Sequence, residues 1–183
     1  MDSFKEILQS AKDGDEKAFV KLYQLVSLPL NKYLYFKAPG IYEDAASETW
    51  YSVAKSLNNF TGNEDDFRNW IFVIARSKVV DILRKKKPTP IEDDLLESKY
   101  DDRLGSQDEP SSLVIEEMTT KEAIEFVRDN LKPIEAEVIL LRVVVGLPID
   151  QVAKIVKKRE GAVRVIQHRS LQKLAQIVGT LPQ

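Results

Sequence analysis

Residues 67–87 read FRNWIFVIARSKVVDILRKKK and join a run of aromatic and aliphatic side chains to a terminal block of cations. Seven apolar residues recur at the spacing of a helix, and a shared stripe of this kind predicts that they pack in a core. They are Phe67, Trp70, Ile71, Ile74, Ala75, Val79 and Ile82. Alone, the stretch fits a buried helix with a solvated tail, a membrane-surface helix or a nucleic-acid-binding helix. The membrane-surface alternative is disfavoured, because such a helix carries Lys and Arg along its polar face and not in a terminal block.

Composition restricts the chemistry of the chain. Hydrophobic residues make up 43% of the 183 residues and charged residues 31%, which is a normal composition for a globular protein. The chain has no cysteine and one histidine, so disulfides and Cys/His zinc sites are excluded. No nucleophile motif surrounds His168, and we expect no catalytic residues, no metal and no cofactor. No signal peptide or membrane span is visible, which predicts a cytoplasmic protein.

The net charge of −2 conceals two basic segments in an acidic chain. Residues 67–87 carry 7 basic and 1 acidic side chains, and residues 154–173 carry the same numbers, so each segment has a net charge of +6. Residues 1–66 have a net charge of −4 and residues 88–153 one of −10. Such local basic charge is what a phosphate backbone attracts.

Apolar spacing predicts helices throughout, and no alternating strand pattern of useful length occurs, so the fold class is all-α. Carboxylates ahead of apolar runs predict helix caps at Asp15, Asp44 and Asp66. The inward positions of the first three helices are predicted to be Phe4, Ile7, Leu8 and Ala11, then Ala18, Phe19, Leu22, Tyr23 and Val26, then Ala46, Trp50, Val53, Ala54 and Leu57.

Residues 88–112 hold eight acidic and two basic residues with three prolines, which predicts an acidic flexible linker. It would join two small helical domains, residues 1–87 and 113–183. The second domain should begin with a helix over 113–130 whose apolar positions are Leu113, Met118, Ile124 and Val127. Pro133 suits the first turn of the next helix, and Gly146 suits its end.

Residues 146–175, GLPIDQVAKIVKKREGAVRVIQHRSLQKLA, have the layout of a helix-turn-helix: a short helix, a tight turn and a longer basic helix. The turn position that Gly commonly takes is Lys157, so either the turn avoids a positive φ or the domain tolerates a cost of about 1 kcal/mol or more. An ordinary helical hairpin with charged outer faces is the alternative. The predicted inward residues are Val152, Ala153, Val156, Val163, Ile166, Leu171 and Leu174.

The outer face of this unit is almost free of acid near the start of the second helix, which is typical of a surface that enters a major groove. In the first basic segment, Phe72 lies among arginines, a pattern that suits stacking on an unpaired base beside a phosphate contact. The residues on that side are Arg68, Phe72, Val73, Arg76, Ser77, Val80 and Arg84.

With these parts in order, almost the whole chain outside the linker resembles a bacterial RNA polymerase sigma factor of the extracytoplasmic-function (ECF) group of the sigma-70 family. The matching parts are GDEKAFVKLY at 14–23, YEDAASETWYSVAKSLNNF at 42–60, the opening stretch at 67–87, LKPIEAEVILLRVVVGL at 131–147 and GAVRVIQHRSLQKLA at 161–175. The resemblance implies a four-helix promoter-melting domain (region 2), a linker that threads the polymerase channel, and a helix-turn-helix domain (region 4). It also implies a non-catalytic specificity subunit.

The resemblance assigns roles to residues of the first domain. The helix near Asp44 would dock on the clamp of the largest polymerase subunit through Asp44, Glu48 and Trp50. The loop FTGNED and the helix after it would capture and melt the minus-10 non-template strand. The residues implied there are Phe60, Asn63, Glu64, Phe72, Arg76, Ser77, Lys78, Arg84 and Lys85. Trp70 lies on the core stripe and is interpreted as structural, whereas Val73 and Ser77 depart from the basic residue and Asn common in relatives.

In the second domain the resemblance implies that the helix-turn-helix reads duplex minus-35 DNA. The residues implied are Lys158, Arg159, Arg164, Val165, His168 and Arg169, with Lys157 beside them on phosphates. The implied partners are core RNA polymerase, through its clamp and the flap of the second-largest subunit, promoter DNA as duplex and as single strand, and an anti-sigma factor. Two alternatives stay open: a stand-alone helix-turn-helix repressor or activator, and an enzyme or ligand-binding domain with an incidental basic face.

Overall fold

The computed structural model describes residues 3–86 and 120–179, and these form helices without strands, which confirms the all-α fold class. They fall into two compact units, on either side of a division between positions 90 and 91. The predicted linker, 88–112, lies outside the described residues, as do Leu113 and Met118. The exact domain boundaries therefore stay predictions.

The first unit is a bundle of four helices. Helix α1 spans Phe4–Lys12, α2 spans Glu16–Lys37, α3 spans Tyr42–Ser56 and α4 spans Glu64–Lys86, with a 3₁₀ turn at Leu57–Asn59. Helix α2 packs against the other three, and α3 also packs against α4. Because α4 has neighbours on two sides, it buries more of its circumference than a single apolar stripe would cover.

The helix caps predicted for α2 and α3 have different outcomes. Asp15 caps α2 as predicted, since its side chain accepts a hydrogen bond of 2.8 Å from the backbone N–H of Lys17. The predicted cap at Asp44 is wrong: α3 begins at Tyr42, and Asp44 lies inside its first turn. The physical reason is that an acidic side chain also stabilises the first turn through the helix dipole, without acting as the cap.

The buried face of α3 differs from the predicted one. Ala45, Thr49 and Val53 are fully buried, whereas Ala54 is exposed and Trp50 is half-buried. A threonine can occupy the core here because its hydroxyl donates a hydrogen bond of 2.6 Å to the carbonyl of Ala45. A polar residue that satisfies itself within the helix in this way is not visible to a pattern of apolar residues.

The second unit contains α5 (Thr120–Asn130), α6 (Pro133–Ile139), a π-helical turn (Leu140–Val144), α7 (Ile149–Val156) and α8 (Glu160–Gly179). Helices α6 and α7 both pack against α8, and α5 packs against α6. Pro133 occupies the first turn of α6, and Gly146 has φ +80°, so the predicted start and stop are both confirmed.

Helices α7 and α8 form the predicted helix-turn-helix. All the predicted inward residues are buried except Leu171, which is half-buried. Lys157 has φ 55° and ψ 44°, so this turn adopts the left-handed conformation and the domain tolerates its cost. The N–H groups of Lys157 and Lys158 both donate to the carbonyl of Ala153, which closes the end of α7 in a Schellman-type arrangement.

The π-helical turn between α6 and α7 is fixed by one arginine. The N–H of Val145 donates to the carbonyl of Leu140, five residues earlier, at 2.9 Å. Arg142 then donates from Nε to the side-chain oxygen of Gln167 at 3.0 Å and from Nη1 to the carbonyl of Leu147 at 2.6 Å. One guanidinium therefore ties the widened turn to the following loop and to α8.

Candidate nucleic-acid and polymerase interface

An open groove of about 580 Å³ lies between α3 and α4 and collects charged side chains from both helices. Helix α3 contributes two of the predicted polymerase-binding residues, and α4 contributes three of the predicted minus-10 residues. The lining residues are Asp44, Ser47, Glu48, Lys78, Asp81, Ile82, Arg84 and Lys85. The structure thus brings together two sets of residues that the sequence could only place on separate helices.

The exposed side of α4 leads from this groove towards the cations at its end. Val73 is 43% exposed, and Ser77, Arg84 and Lys85 are also exposed, whereas Arg76 is half-buried. Residues 73, 77 and 84 recur at helical spacing, so they follow one line along the helix. Along this line the side chains of α4 are accessible, so the predicted contacts with a DNA strand are sterically possible there.

The loop before α4 is closed by its own hydrogen bonds. The side-chain oxygen of Asn63 accepts from the N–H of Asp66 at 2.9 Å, and the Asp66 carboxylate accepts from the N–H of Asn63 at 3.0 Å. The predicted cap at Asp66 is therefore wrong, because Asp66 lies in the first turn of a helix that begins at Glu64 and pairs with Asn63 across it. Gly62 has φ +150°, and a Cβ there would lie 2.7 Å from the Asp66 Cβ.

Two loop residues predicted to line a base-capturing site are already engaged. The Glu64 carboxylate pairs with Arg68 at 2.9 Å, one helical turn later. Phe60 is only 7% exposed and stacks on Trp70 with ring centroids 4.9 Å apart. Phe60 is therefore a core residue and not an open wall of the loop, and Trp70 is structural as interpreted. Lys12 donates to the Phe60 carbonyl at 2.6 Å, which joins α1 to the loop.

Phe72 does not have the exposure that base stacking requires. Its side chain is 1% exposed, and its ring packs edge-on against Tyr33 with centroids 5.3 Å apart. The expectation that Phe72 stacks on an unpaired base is corrected by this burial. The reason is that α2 covers the side of α4 which carries Phe72, so the helix has a second buried face beside the predicted stripe.

Trp50, the third predicted polymerase-binding residue, belongs to an aromatic contact between α2 and α3. Its ring lies 4.7 Å from that of Tyr23 and 6.2 Å from that of Phe19. Asp44 and Glu48 are exposed, whereas Trp50 is half-buried. Trp50 therefore has a packing role, and Asp44 and Glu48 remain as the accessible predicted contacts of α3.

The second basic surface consists of the turn of the helix-turn-helix and the outer face of α8. Arg159, Arg164 and Arg169 are exposed, and Lys158 is half-buried. Arg164 lies 3.6 Å from Glu160, one helical turn earlier. These cations lie on the turn and along α8, where they form a basic surface that a duplex backbone would attract.

Two predicted duplex contacts are corrected or restricted by burial. Val165 is 8% exposed and packs inside the unit, so it cannot present its side chain to a base. His168 is half-buried, and its Nδ1 atom is enclosed without a hydrogen-bond partner in the described structure. Only the remaining part of the imidazole is accessible from outside.

Comparison with known proteins matches both units. Residues 31–89 match the family Sigma-70 region 2, and residues 129–176 match Sigma-70, region 4. The ECF RNA polymerase sigma factor ShbA of Streptomyces griseus is 31% identical over 136 residues, which cover 72% of this chain and 69% of ShbA. The chain belongs to the ECF sigma factors of the sigma-70 family. The family predicted from the sequence is therefore confirmed.

Other relatives of this ECF family member extend the match along the chain. The ECF RNA polymerase sigma factor BldN of Streptomyces coelicolor is 28% identical over 94% of this chain, which spans 65% of the length of BldN. The solved structure of the sigma factor RpoE in complex with the anti-sigma factor NepR, from Bartonella quintana, has the same fold. Its TM-score is 0.64 at 17% identity, and the match covers 91% of this chain and 99% of RpoE.

Sequence reasoning missed charged residues of this sigma factor that lie at the two surfaces. Asp81 lines the groove beside Lys78, and Glu160 pairs with Arg164 on α8. Both are the single acidic residue of an otherwise basic segment, 67–87 and 154–173 respectively. A single acidic residue in a basic segment is visible in the sequence and could have been singled out, because its charge is opposite to that of the surrounding residues.

Proposed function

We propose that this chain binds core RNA polymerase, recognises minus-35 and minus-10 promoter elements and initiates DNA melting. The observation that carries the proposal is the placement of both sigma-70 matches: region 2 falls on the unit with the charged groove, and region 4 falls on the helix-turn-helix. The role is one of binding, and it requires no active site. Such a protein acts where the polymerase is, in the cytoplasm.

The α3 side of the groove is proposed as the polymerase contact. Asp44 and Glu48 are exposed and lie on one face, so they can meet cations on the clamp of the largest subunit. In the second unit, the flap of the second-largest subunit is the proposed partner. An anti-sigma factor is a further proposed partner, supported by the structure of RpoE, which was solved in complex with the anti-sigma factor NepR.

The DNA contacts are proposed on the exposed side of α4 and on α8. Ser77, Arg84 and Lys85 would hold the minus-10 non-template strand, with Lys78 and Arg76 at the edge of the same surface. Arg164 and Arg169 would enter the major groove of the minus-35 duplex while Lys158 and Arg159 hold phosphates. Unstacking DNA costs a few kcal/mol per base step, so melting needs several of these contacts together with the polymerase.

The test is abortive transcription with purified core polymerase, with and without this chain, over a library of genomic promoter fragments. We expect initiation from a defined subset of promoters only when the chain is present. Initiation that does not depend on the chain would overturn the proposal. Pull-down separates the rival functions: recovery of core polymerase supports a sigma factor, whereas tight duplex binding without core supports a repressor or activator.

Arg164→Ala tests the assignment of α8 within this function. The Arg164 side chain is 63% exposed, so its removal should leave the fold intact. We expect weaker discrimination among minus-35 sequences, by about 1–3 kcal/mol, and unchanged affinity for core polymerase. A parallel loss of core affinity would contradict the assignment.

A further inference from the structure

Glu160 occupies an unusual position for an acidic residue in this molecule. It is the first residue of α8 and the only acid among residues 154–173, which carry seven cations. Its side chain is 54% exposed, so the carboxylate has no packing role in the core. In a surface proposed to approach a polyanion, an exposed carboxylate lowers the affinity for any sequence unless it makes a favourable contact of its own.

The position of Glu160 on the helix places it beside the proposed base-reading arginine. Glu160, Arg164 and His168 follow one another at intervals of four residues, so they share a face of α8. Val163, Ile166 and Ser170 form the buried face of the same helix. In a helix-turn-helix the N-terminal residues of the second helix contact base edges, and Glu160 is the first of them.

The ion pair with Arg164 places the two charged groups side by side. A carboxylate oxygen of Glu160 lies 3.6 Å from Nη2 of Arg164, so both polar ends project together from the first two turns of the helix. A carboxylate accepts a hydrogen bond from the N4 amino group of cytosine, whereas Arg donates two bonds to the O6 and N7 atoms of guanine. Adjacent acceptor and donor groups therefore match a cytosine and a guanine at neighbouring positions.

A different explanation is helix stabilisation, because an acidic residue in the first turn interacts favourably with the helix dipole. Helix α7 carries a comparable ion pair, which allows the two explanations to be separated. Asp150 lies in its first turn and pairs with Lys154 at 3.8 Å, with side-chain exposures of 51% and 60%. The two pairs thus have the same spacing and similar exposure, but only the pair on α8 lies on the proposed reading helix.

We propose that Glu160 determines sequence specificity, with its carboxylate accepting a hydrogen bond from a cytosine N4 amino group in duplex minus-35 DNA next to the guanine read by Arg164. This inference rests on the proposed function. It adds a residue that selects by repulsion as well as by attraction, since the carboxylate is repelled by the acceptor groups that guanine and thymine present in the major groove.

The experiment uses the full chain with core polymerase and a promoter library randomised across the minus-35 element. The wild type should select cytosine at one position. Glu160→Ala should reduce that preference by about 5- to 150-fold, and Glu160→Gln should move it towards adenine, which Gln contacts through N6 and N7. Asp150→Ala is the matched control, and it should leave the base preference unchanged.

The outcomes separate this inference from the function on which it rests. If Glu160→Ala raises affinity for all sequences without changing the selected base, or if Asp150→Ala changes the preference equally, Glu160 acts only through charge or helix stability and the inference is overturned. Both results presuppose promoter-dependent initiation by the wild type. If the wild type gives none, the proposed function and this inference fail together.

Discussion

The ammonium nitrogen of Lys78 on α4 lies 4.0 Å from a carboxylate oxygen of Glu48 on α3. The two side chains are 28% and 56% exposed, and ion pairs with this much solvent contribute about 0–1 kcal/mol to the free energy of unfolding. The pair is therefore not needed to hold α3 against α4, because the two helices pack against each other and both bury residues in the core, such as Ala45 of α3 and Ala75 of α4. Both charges remain available for other molecules.

Glu48→Ala should separate stability from partner binding. Because the Lys78 contact is weak, the free energy of unfolding should change by no more than about 1 kcal/mol. Affinity for core polymerase should fall about tenfold or more if the carboxylate meets a cation there. Urea unfolding and competition for labelled core measure the two effects. Glu16→Ala, which removes an exposed acid from the first turn of α2, is the control: it should cost no more than about 1 kcal/mol of stability and leave the affinity for core polymerase unchanged. Equal losses of core affinity in both variants would contradict the assignment.

Phe72→Ala should act as a core substitution. The ring is buried against Tyr33, so its removal should lower the free energy of unfolding by about 3–5 kcal/mol in urea unfolding. The neighbouring Val73 is 43% exposed, and Val73→Ala should cost less than about 1 kcal/mol. A Phe72→Ala protein with wild-type stability that fails only in promoter melting would restore a direct DNA contact for this residue.

Lys157→Gly should stabilise the second unit. The left-handed conformation costs a non-glycine residue about 1–2 kcal/mol, and the added freedom of Gly in the unfolded chain offsets about half of this. The expected gain is about 0.5–1 kcal/mol in thermal or urea unfolding. Lys158 does not have a positive φ, so Lys158→Gly should instead destabilise the protein. Equal effects of the two substitutions would show that the turn conformation is not what decides stability.

Arg142→Met should destabilise the second unit because hydrogen bonds are lost, and not because a positive charge is removed. The substitution leaves the Leu147 carbonyl and the Gln167 side chain without the donors they have now. A loss of about 1–3 kcal/mol in the free energy of unfolding is expected. Lys154→Met, which removes an exposed cation paired at 3.8 Å, should change stability by less than about 1 kcal/mol. Comparable losses would mean that Arg142 contributes mainly net charge.

Helix boundaries that depend on one residue type were predictable from the sequence. Pro133 and Gly146 are where the backbone rules place them, and Asp15 caps α2, because each property is local to a few residues. Asp44 and Asp66 were misassigned for a local reason as well. Acidic residues are favourable both at the cap and in the first turn, so the residue type does not fix the first position of a helix.

Burial on more than one side of a helix was not predictable. A single apolar stripe describes a helix with one neighbour, but α4 contacts both α2 and α3, and Phe72 is buried on the second side. Val165 on α8 is the same case, with α6 and α7 as the two neighbours. Two of the predicted DNA contacts failed for this reason, whereas the charged residues of the candidate surfaces are exposed or half-buried because ions stay near water.

The π-helical turn at Leu140–Val144 holds one residue more than an α-helical turn in the same place would hold. Each residue of a regular helix advances the side-chain direction by about 100°, so an extra residue would rotate all later side chains by that angle unless the turn widened to accept it. The N–H of Val145 bonds to the carbonyl of Leu140, five residues earlier, so the turn takes up the extra residue locally. A one-residue deletion within it would therefore keep the direction of the later side chains, but it would remove the widened turn from which Arg142 reaches the Leu147 carbonyl at 2.6 Å.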